Sequence, residues 1–203
     1  MGSIAEQVVK IFIAGPRSLR KLDGSVKIKL GNIINKNYTV LVGDAVGVDK
    51  LTQQFLHDAL YNNVVVYASQ GKARNNVGNW RIENVTVRKG LKGFDFYTAK
   101  DLKMAEDADY GFMIWNGKSK GTLNNIINLS AQSKKIFVYF VPHDKFYTIK
   151  NIEDAEKLAK ACGEETTEMF KKLRNRKQRY NVETQYEQMT VNEVFDEYEE
   201  NSY

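Results

Sequence analysis

The chain has 203 residues, a net charge of +5 at pH 7 and one cysteine, Cys162. A chain of this length buries enough surface to fold without cross-links, and a single cysteine excludes an intramolecular disulfide and a cysteine-based zinc site. No apolar run approaches the ~20 residues that a membrane-spanning helix needs, and no signal-peptide pattern is present. We therefore expect a cytoplasmic protein without a membrane partner.

The charge is unevenly distributed along the chain. Residues 193–203 contain five acidic side chains and no Lys or Arg, so without them the net charge of +5 would rise to +10. The most basic segment, residues 171–179, lies before this acidic tail. A body this basic attracts phosphate-bearing ligands or nucleic acid. Lysines scattered for solubility are the simpler explanation, so we rank nucleic acid below a small-molecule partner.

Continuous apolar runs alternate with helical patterns in the first third of the chain. Strands are predicted at residues 8–14, 38–42 and 63–67, with helices near residues 26–34 and 48–59 between them. The strands do not alternate between apolar and polar residues, as expected when helices cover both faces of a parallel sheet. The βαβ spacing therefore predicts a Rossmann-like fold.

Regularity weakens between residues 69 and 98, where only a short edge strand at 84–88 is predicted. A long connection inside a compact domain is usually functional, so Asn79 and Trp80 become candidate ligand contacts. Core packing is the commoner role of a tryptophan. Thr98 is predicted to cap a helix over residues 99–107, with Asp101 at its third position supporting the helix start.

The second half begins with a strand at residues 110–115, a polar turn and a helix opening at Thr122. A strand at 135–141 and two helices beyond residue 152 follow. We predict an α/β protein: a Rossmann-like three-layer sandwich with a mostly parallel sheet of about five strands in residues 8–145. Residues 146–203 form a helical C-terminal extension with the basic segment and the acidic tail.

Three of the predicted strands end in polar, glycine-containing turns. In open α/β sheets, ligands bind beyond the carboxyl ends of the strands, near the point where the strand order reverses. Glycine permits close backbone approach, and Ser, Thr, Lys, Arg and a helix N-terminus donate hydrogen bonds to phosphate. These turns therefore predict a polyoxygenated, phosphorylated ligand. The candidate contacts are Gly15, Pro16, Arg17 and Ser18; Gly43, Asp44, Gly47 and Asp49; and Asn116, Gly117, Lys118, Ser119, Lys120, Gly121 and Thr122, with Asn125 one turn further on.

Each of these residues also has a simpler explanation. Gly15 and Gly43 suit ordinary strand-ending turns, and Asp44 suits a cap or turn position. Asp49 falls in a first helical turn, where the helix dipole favours a carboxylate. No Ser-His-Asp set and no cluster at metal-ligand spacing is recognisable, so we predict no metal site and no required cofactor.

The three turns together resemble a known superfamily. Residues 11–17 (IFIAGPR), 42–51 (VGDAVGVDKL) and 115–122 (WNGKSKGT) resemble the SLOG superfamily of Rossmann-like proteins, especially its small bacterial and phage members of unknown biochemistry. The resemblance implies binding of nucleotides or of NAD- or ADP-ribose-like metabolites at these strand ends. Cytokinin-activating phosphoribohydrolases and nucleoside deoxyribosyltransferases are similar to this group and cleave N-glycosidic bonds.

One position departs from those glycosidic enzymes, which place a glutamate a few residues after a Gly-Thr pair. Here Thr122 is followed by Leu, Asn and Asn, and an amide is neither a nucleophile nor a proton acceptor. Asp44 or Asp49 would have to be the catalytic acid/base instead. Nucleotide binding as a sensor or sequestering protein is thus our leading hypothesis. An N-glycosidic hydrolase or transferase is the alternative, and nucleic-acid binding through residues 171–179 is the second alternative. The oligomeric state is left open, with a homo-oligomer as one option.

Overall fold

The computed structural model describes residues 8–87, 89–90 and 92–176 of the chain. In this part the protein has a Rossmann-like α/β fold built on a seven-stranded sheet. The strands are β1 (Lys10–Ala14), β2 (Thr39–Gly43), β3 (Val64–Ser69), β4 (Arg81–Val85), β5 (Tyr110–Trp115), β6 (Ile136–Phe140) and β7 (Lys145–Ile149). The helices are α1 (Gly24–Asn35), α2 (Val48–Asp58), α3 (Gly93–Asp107), α4 (Lys120–Ser130), α5 (Ile152–Ala161) and α6 (residues 164–176), with a 3₁₀ turn at Val141–His143.

The strand order is β4-β3-β2-β1-β5-β6-β7. All neighbouring strands are parallel except β6 and β7, which are antiparallel. The chain moves outward from β1 to β4, then returns to place β5 on the other side of β1. The strand order therefore reverses between β1 and β5, and the carboxyl ends of these two strands diverge around a crevice.

The two faces of the sheet carry different helices. Apolar residues of α1 and α2 pack on one face, and those of α3, α4, α5 and α6 pack on the other. In β1, Phe12 belongs to the α3–α6 face and Ile13 to the α1–α2 face, and both are fully buried. Coverage on both faces explains why the strand is continuously apolar.

The structure corrects the element count and several boundaries. The sheet has seven strands instead of about five, because the short strand β4 extends one edge and the antiparallel strand β7, after the 3₁₀ turn, extends the other. The alternation in Lys145–Ile149 is weak, with only Ile149 fully buried, so the strand gives little hydrophobic signal. The edge strand expected at residues 84–88 is instead Arg81–Val85. The helices expected beyond residue 152 are present as α5 and α6.

Two predicted helix starts are wrong. Thr98 does not cap α3, which begins at Gly93; its hydroxyl donates to the Phe94 carbonyl inside the helix. Asp101 consequently lies in the middle of α3, where it pairs with Lys100. α4 begins at Lys120 with Ser119 as its cap, two residues before Thr122. No helix among residues 8–87 and 92–176 is long and apolar enough to cross a membrane. Residues 177–179 and the acidic tail lie outside the described residues.

Candidate functional site

A cavity of about 430 Å³ lies at the carboxyl ends of β1, β2 and β5, between α3 and the start of α4. This is the crevice where the strand order reverses. Its volume falls in the range of small-molecule sites. The predicted contacts that line it are Gly15, Arg17, Asp49, Ser119, Lys120, Gly121, Thr122 and Asn125.

The turn before α4 is folded by its own side chains. Asn116 Oδ1 accepts hydrogen bonds from the backbone N–H groups of Lys118 (3.1 Å) and Ser119 (2.8 Å). Ser119 Oγ in turn accepts from the Thr122 N–H and hydroxyl. The N–H groups of Lys120 and Gly121 have no acceptor in the described chain, as is usual for the first residues of a helix. They present the positive end of α4 to the cavity.

Basic and aromatic side chains complete this side of the cavity. Arg17 lines it and has no carboxylate partner among the described residues. Lys120 Nζ lies 4.2 Å from the centre of the Phe94 ring, and the Arg74 guanidinium lies 4.7 Å from that of Tyr97. The cavity therefore combines an anion-favouring end with two aromatic rings from α3.

A cluster of charged side chains adjoins the cavity, and three of them, Asp44, Asp49 and Lys100, are buried. The Asp44 carboxylate accepts three hydrogen bonds from Arg74, from its backbone N–H (3.0 Å), Nε (3.0 Å) and Nη2 (2.6 Å). Lys100 Nζ lies 2.9 Å from Asp101 Oδ1 and 4.0 Å from Asp44 Oδ1. Asp49 Oδ2 accepts from the Ala45 N–H at 3.1 Å. Three carboxyls thus share two cations.

These surroundings separate the pKa values of the two candidate catalytic aspartates. Burial raises the pKa of Asp49 to about 6, because the nearby Lys100 ammonium only partly offsets the loss of solvent. Burial also acts on Asp44, but the hydrogen bonds from Arg74 outweigh it and lower the pKa of that carboxyl. Burial alone would lower the pKa of Lys100; the three surrounding aspartates outweigh it and raise that pKa, so the ammonium stays charged.

The two aspartates are therefore suited to different tasks. Asp44 does not line the cavity, and its oxygens are occupied by Arg74. Asp49 lines the cavity, and its protonated and ionised forms both exist near neutral pH. A carboxyl in that state can accept or donate a proton.

Close packing accounts for the three glycines of the first two turns. A Cβ at Gly15 would lie 2.7 Å from the Ile114 carbonyl oxygen, and one at Gly47 would lie 2.5 Å from that of Pro16. Gly47 also has φ of +79°, a conformation that side chains other than glycine rarely adopt. A Cβ at Gly43 would meet Asp49 Oδ2 at 2.3 Å and Lys100 Nζ at 2.6 Å. Because these glycines have no side chain, the two turns can pack closely against their neighbours and against the charge cluster.

Asn125 is the most informative polar residue of the cavity. It is buried on the first turns of α4, and its Oδ1 has no hydrogen-bond partner among the described residues. Buried polar atoms are nearly always paired, so an orphaned one on a cavity wall is typical of a ligand site.

The remaining candidates lie away from the cavity. Trp80 belongs to the core, where its Nε1 donates to the Tyr61 carbonyl at 3.0 Å, and Asn79 occupies the turn before it. Pro16 and Ser18 belong to the loop after β1, and Asn116 and Lys118 to the turn before α4, without lining the cavity. Gly117 is held by Thr166, whose hydroxyl donates to its carbonyl at 3.0 Å.

Several cavity residues were not predicted as ligand contacts, and the most important of them are Arg74, Phe94, Tyr97 and Lys100. Phe94 and Tyr97 fall in the irregular stretch between residues 69 and 98, before the helix predicted at residues 99–107. Their grouping on one side of α3 was not recognisable because the start of that helix was misplaced. Among the described residues, no group of three or more His, Cys, Asp or Glu side chains is placed to hold a metal ion.

No protein-family model and no curated protein matches the chain. Among solved structures, it is similar to DNA processing protein A from Helicobacter pylori, described in a study of the single-stranded DNA binding mode of that protein. The two share 15% sequence identity with a TM-score of 0.47, and the match covers 64% of this chain and 64% of the other. At this distance the similarity says nothing about function, which has to be argued from the site.

Proposed function

We propose that the chain binds a nucleotide or a nucleotide-derived metabolite of the NAD or ADP-ribose type in the crevice, as a sensor or sequestering protein. The observation that carries this proposal is the buried Asn125 carboxamide oxygen on the cavity wall, which has no hydrogen-bond partner in the part of the chain that the structure describes. A buried acceptor without a donor costs roughly 1–3 kcal/mol, and a ligand hydroxyl or amino group would remove that cost.

The rest of the cavity supports the same class of ligand. The N–H groups of Lys120 and Gly121, with Arg17 beside them, suit a phosphate group. The rings of Phe94 and Tyr97, with the Lys120 and Arg74 cations over them, suit contact with a base. Asp49 and the Asn125 amide suit sugar hydroxyls. The resemblance of the strand-end turns to the SLOG superfamily points to the same chemistry.

The test is a thermal-shift screen of the full chain with a panel of nucleotides, dinucleotides and inorganic phosphate. A ligand present at ~100 times its dissociation constant adds ~2.7 kcal/mol to the free energy of unfolding. Arg17→Ala should weaken binding about tenfold, equivalent to ~1.4 kcal/mol, because it removes a charged phosphate donor. Arg20→Ala is the matched control, since Arg20 is exposed but does not line the cavity. The absence of a shift with every phosphate-bearing compound would refute the proposal.

The second candidate is hydrolysis or transfer at an N-glycosidic bond of such a ligand. The buried Asp49 carboxyl on the cavity wall favours it, because a pKa of about 6 suits a general acid or base. Liquid chromatography would detect release of free base from nucleotides incubated with the chain. Asp49→Asn should abolish release and weaken binding only slightly, because the amide can still hydrogen-bond a sugar hydroxyl. Release that persists in Asp49→Asn would rule out this assignment.

A further inference from the structure

A second cavity, of about 500 Å³, opens near the amino ends of β1, β5 and β6, at the opposite edge of the sheet from the crevice. Part of α1 forms one side of it, and β5, β6 and β7 form its floor. We call it the basic groove, because the described residues that line it include three lysines, Lys29, Lys36 and Lys135, and no acidic side chain.

The topology of the sheet explains why this surface is open. The crossover from β5 to β6 and the helices after β7 lie on the α3–α6 face. On the other face, β5, β6 and β7 therefore lie beyond the helices that connect β1, β2 and β3. The flank of α1 reaches this region through Lys29, whose ammonium lies 5.2 Å from the Phe137 ring centre and 5.5 Å from that of Phe146.

The three lysines are available for an anion. None of them pairs with a carboxylate in the part of the chain that the structure describes. Lys36 Nζ instead lies 5.7 Å from the centre of the Tyr38 ring. A cation over an exposed ring gains only about 0.5–1 kcal/mol, so a phosphate can displace this contact.

Aromatic rings line the same groove as these cations. Tyr110 is 44% exposed at the start of β5, and Tyr38 and Phe137 are half-buried beside it. Proteins that bind single-stranded nucleic acid combine a basic groove along the backbone with aromatic rings on which bases stack. An acidic peptide would satisfy the lysines, but it brings no flat ring with each charge. A duplex has its bases stacked on one another and cannot use these rings.

We propose that the basic groove binds single-stranded nucleic acid, with phosphates at Lys29, Lys36 and Lys135 and bases against Tyr38 and Tyr110. Phe137 stacks on Phe146, with ring centres 4.7 Å apart, and supports the groove from below. The site is separate from the nucleotide crevice and does not depend on it. The surface expected from the sequence, residues 171–179, stays a separate prediction, because residues 177–179 lie outside the described part of the chain. In the described part of that segment, Lys171, Arg174 and Arg176 are each paired with a carboxylate, of Glu168, Glu156 and Asp95.

Fluorescence anisotropy with a labelled oligothymidylate across a salt series tests the proposal on the full chain. For single strands, each phosphate contact contributes ~0.7 to the slope of log affinity against log salt. Replacing Lys29, Lys36 and Lys135 together with Gln should therefore reduce the slope by about 2. The matched control replaces Lys27, Lys50 and Lys157 with Gln, which changes the net charge equally at exposed positions outside the groove.

A second variant separates stacking from charge. Tyr110→Ser should lower the affinity roughly tenfold and leave the salt slope unchanged, because it removes a ring and no cation. Tyr110 is largely exposed on one side, so this variant should fold. Arg17→Ala should leave oligonucleotide binding unchanged, and this separates failure of the groove from failure of the crevice.

Three results would overturn the proposal. The first is no binding of the oligonucleotide at low salt. The second is an equal loss in the groove and control lysine variants, which would indicate a general effect of net charge. The third is a peptide with the sequence of residues 193–203 that occupies the groove in preference to the oligonucleotide. That result would assign the groove to the acidic tail.

Discussion

The strongest prediction for stability concerns the buried carboxyl of Asp49. Its pKa in the folded protein is raised from 3.8 to about 6, so folding becomes less favourable when the group ionises. The stability gained from the protonated form is complete below pH 3.8 and is lost as the pH rises through 6. A shift of roughly 2 units corresponds to about 3 kcal/mol at pH 8. Asp49→Asn is a neutral replacement of the same shape and should avoid this cost.

Urea unfolding of the wild-type chain and of Asp49→Asn at pH 4, 5, 6, 7 and 8 measures the effect. The variant should be the more stable protein at pH 8, and its advantage should grow by about 2 kcal/mol between pH 4 and pH 8. Lys100 retains its 2.9 Å contact with Asp101 in the variant, so its ammonium is not left without a partner.

Asp44→Asn is the matched control because the pKa of Asp44 is shifted in the opposite direction. The pKa of Asp44 is lowered, so its contribution to stability is present above its ordinary pKa and is lost as the pH falls. Asp44→Asn should therefore destabilise the protein by about 2 kcal/mol at pH 8, and by less at pH 4. A difference between wild type and Asp49→Asn that stays constant with pH, or a wild type that is the more stable at pH 8, would refute the reasoning.

Three further predictions concern close packing at two glycines and one hydrogen bond between β3 and α3. Gly43→Ala should destabilise the protein by about 1–3 kcal/mol in urea unfolding, because the new methyl group overlaps Asp49 and Lys100; an unchanged midpoint would contradict this. Gly47→Ala should cost at least about 1 kcal/mol in thermal unfolding, since its φ of +79° is strained for alanine and its Cβ would meet the Pro16 carbonyl. Tyr67→Phe should cost about 1 kcal/mol in urea unfolding by removing the 2.7 Å hydrogen bond to Asp107, and a neutral result would show that this bond contributes nothing.

The local pattern of the sequence was sufficient to predict a parallel sheet with helices on both faces. Phe12 and Ile13 are adjacent and apolar, and they are buried on opposite faces of the sheet. Neighbouring apolar residues of this kind are expected in a strand that has helices on both faces. The parallel sheet could therefore be predicted before the strand order was known. Three polar turns at strand ends likewise indicated which edge of the sheet would carry a crevice. β7 and the true start of α3 lacked such a signal, because their apolar residues follow no clear period.

The sequence by itself determined that strands alternate with helices and that glycine-containing polar turns follow three of the strands. Only the tertiary structure decided which side chains meet. Arg74 reaches Asp44 across 30 residues, and Lys100 reaches it from a helix on the other side of the crevice. The same packing gave Asp49 and Asp44 opposite pKa shifts and left Trp80 in the core. Periodicity reports how deeply a residue is buried, whereas contacts between distant segments depend on strand order, which no local pattern encodes.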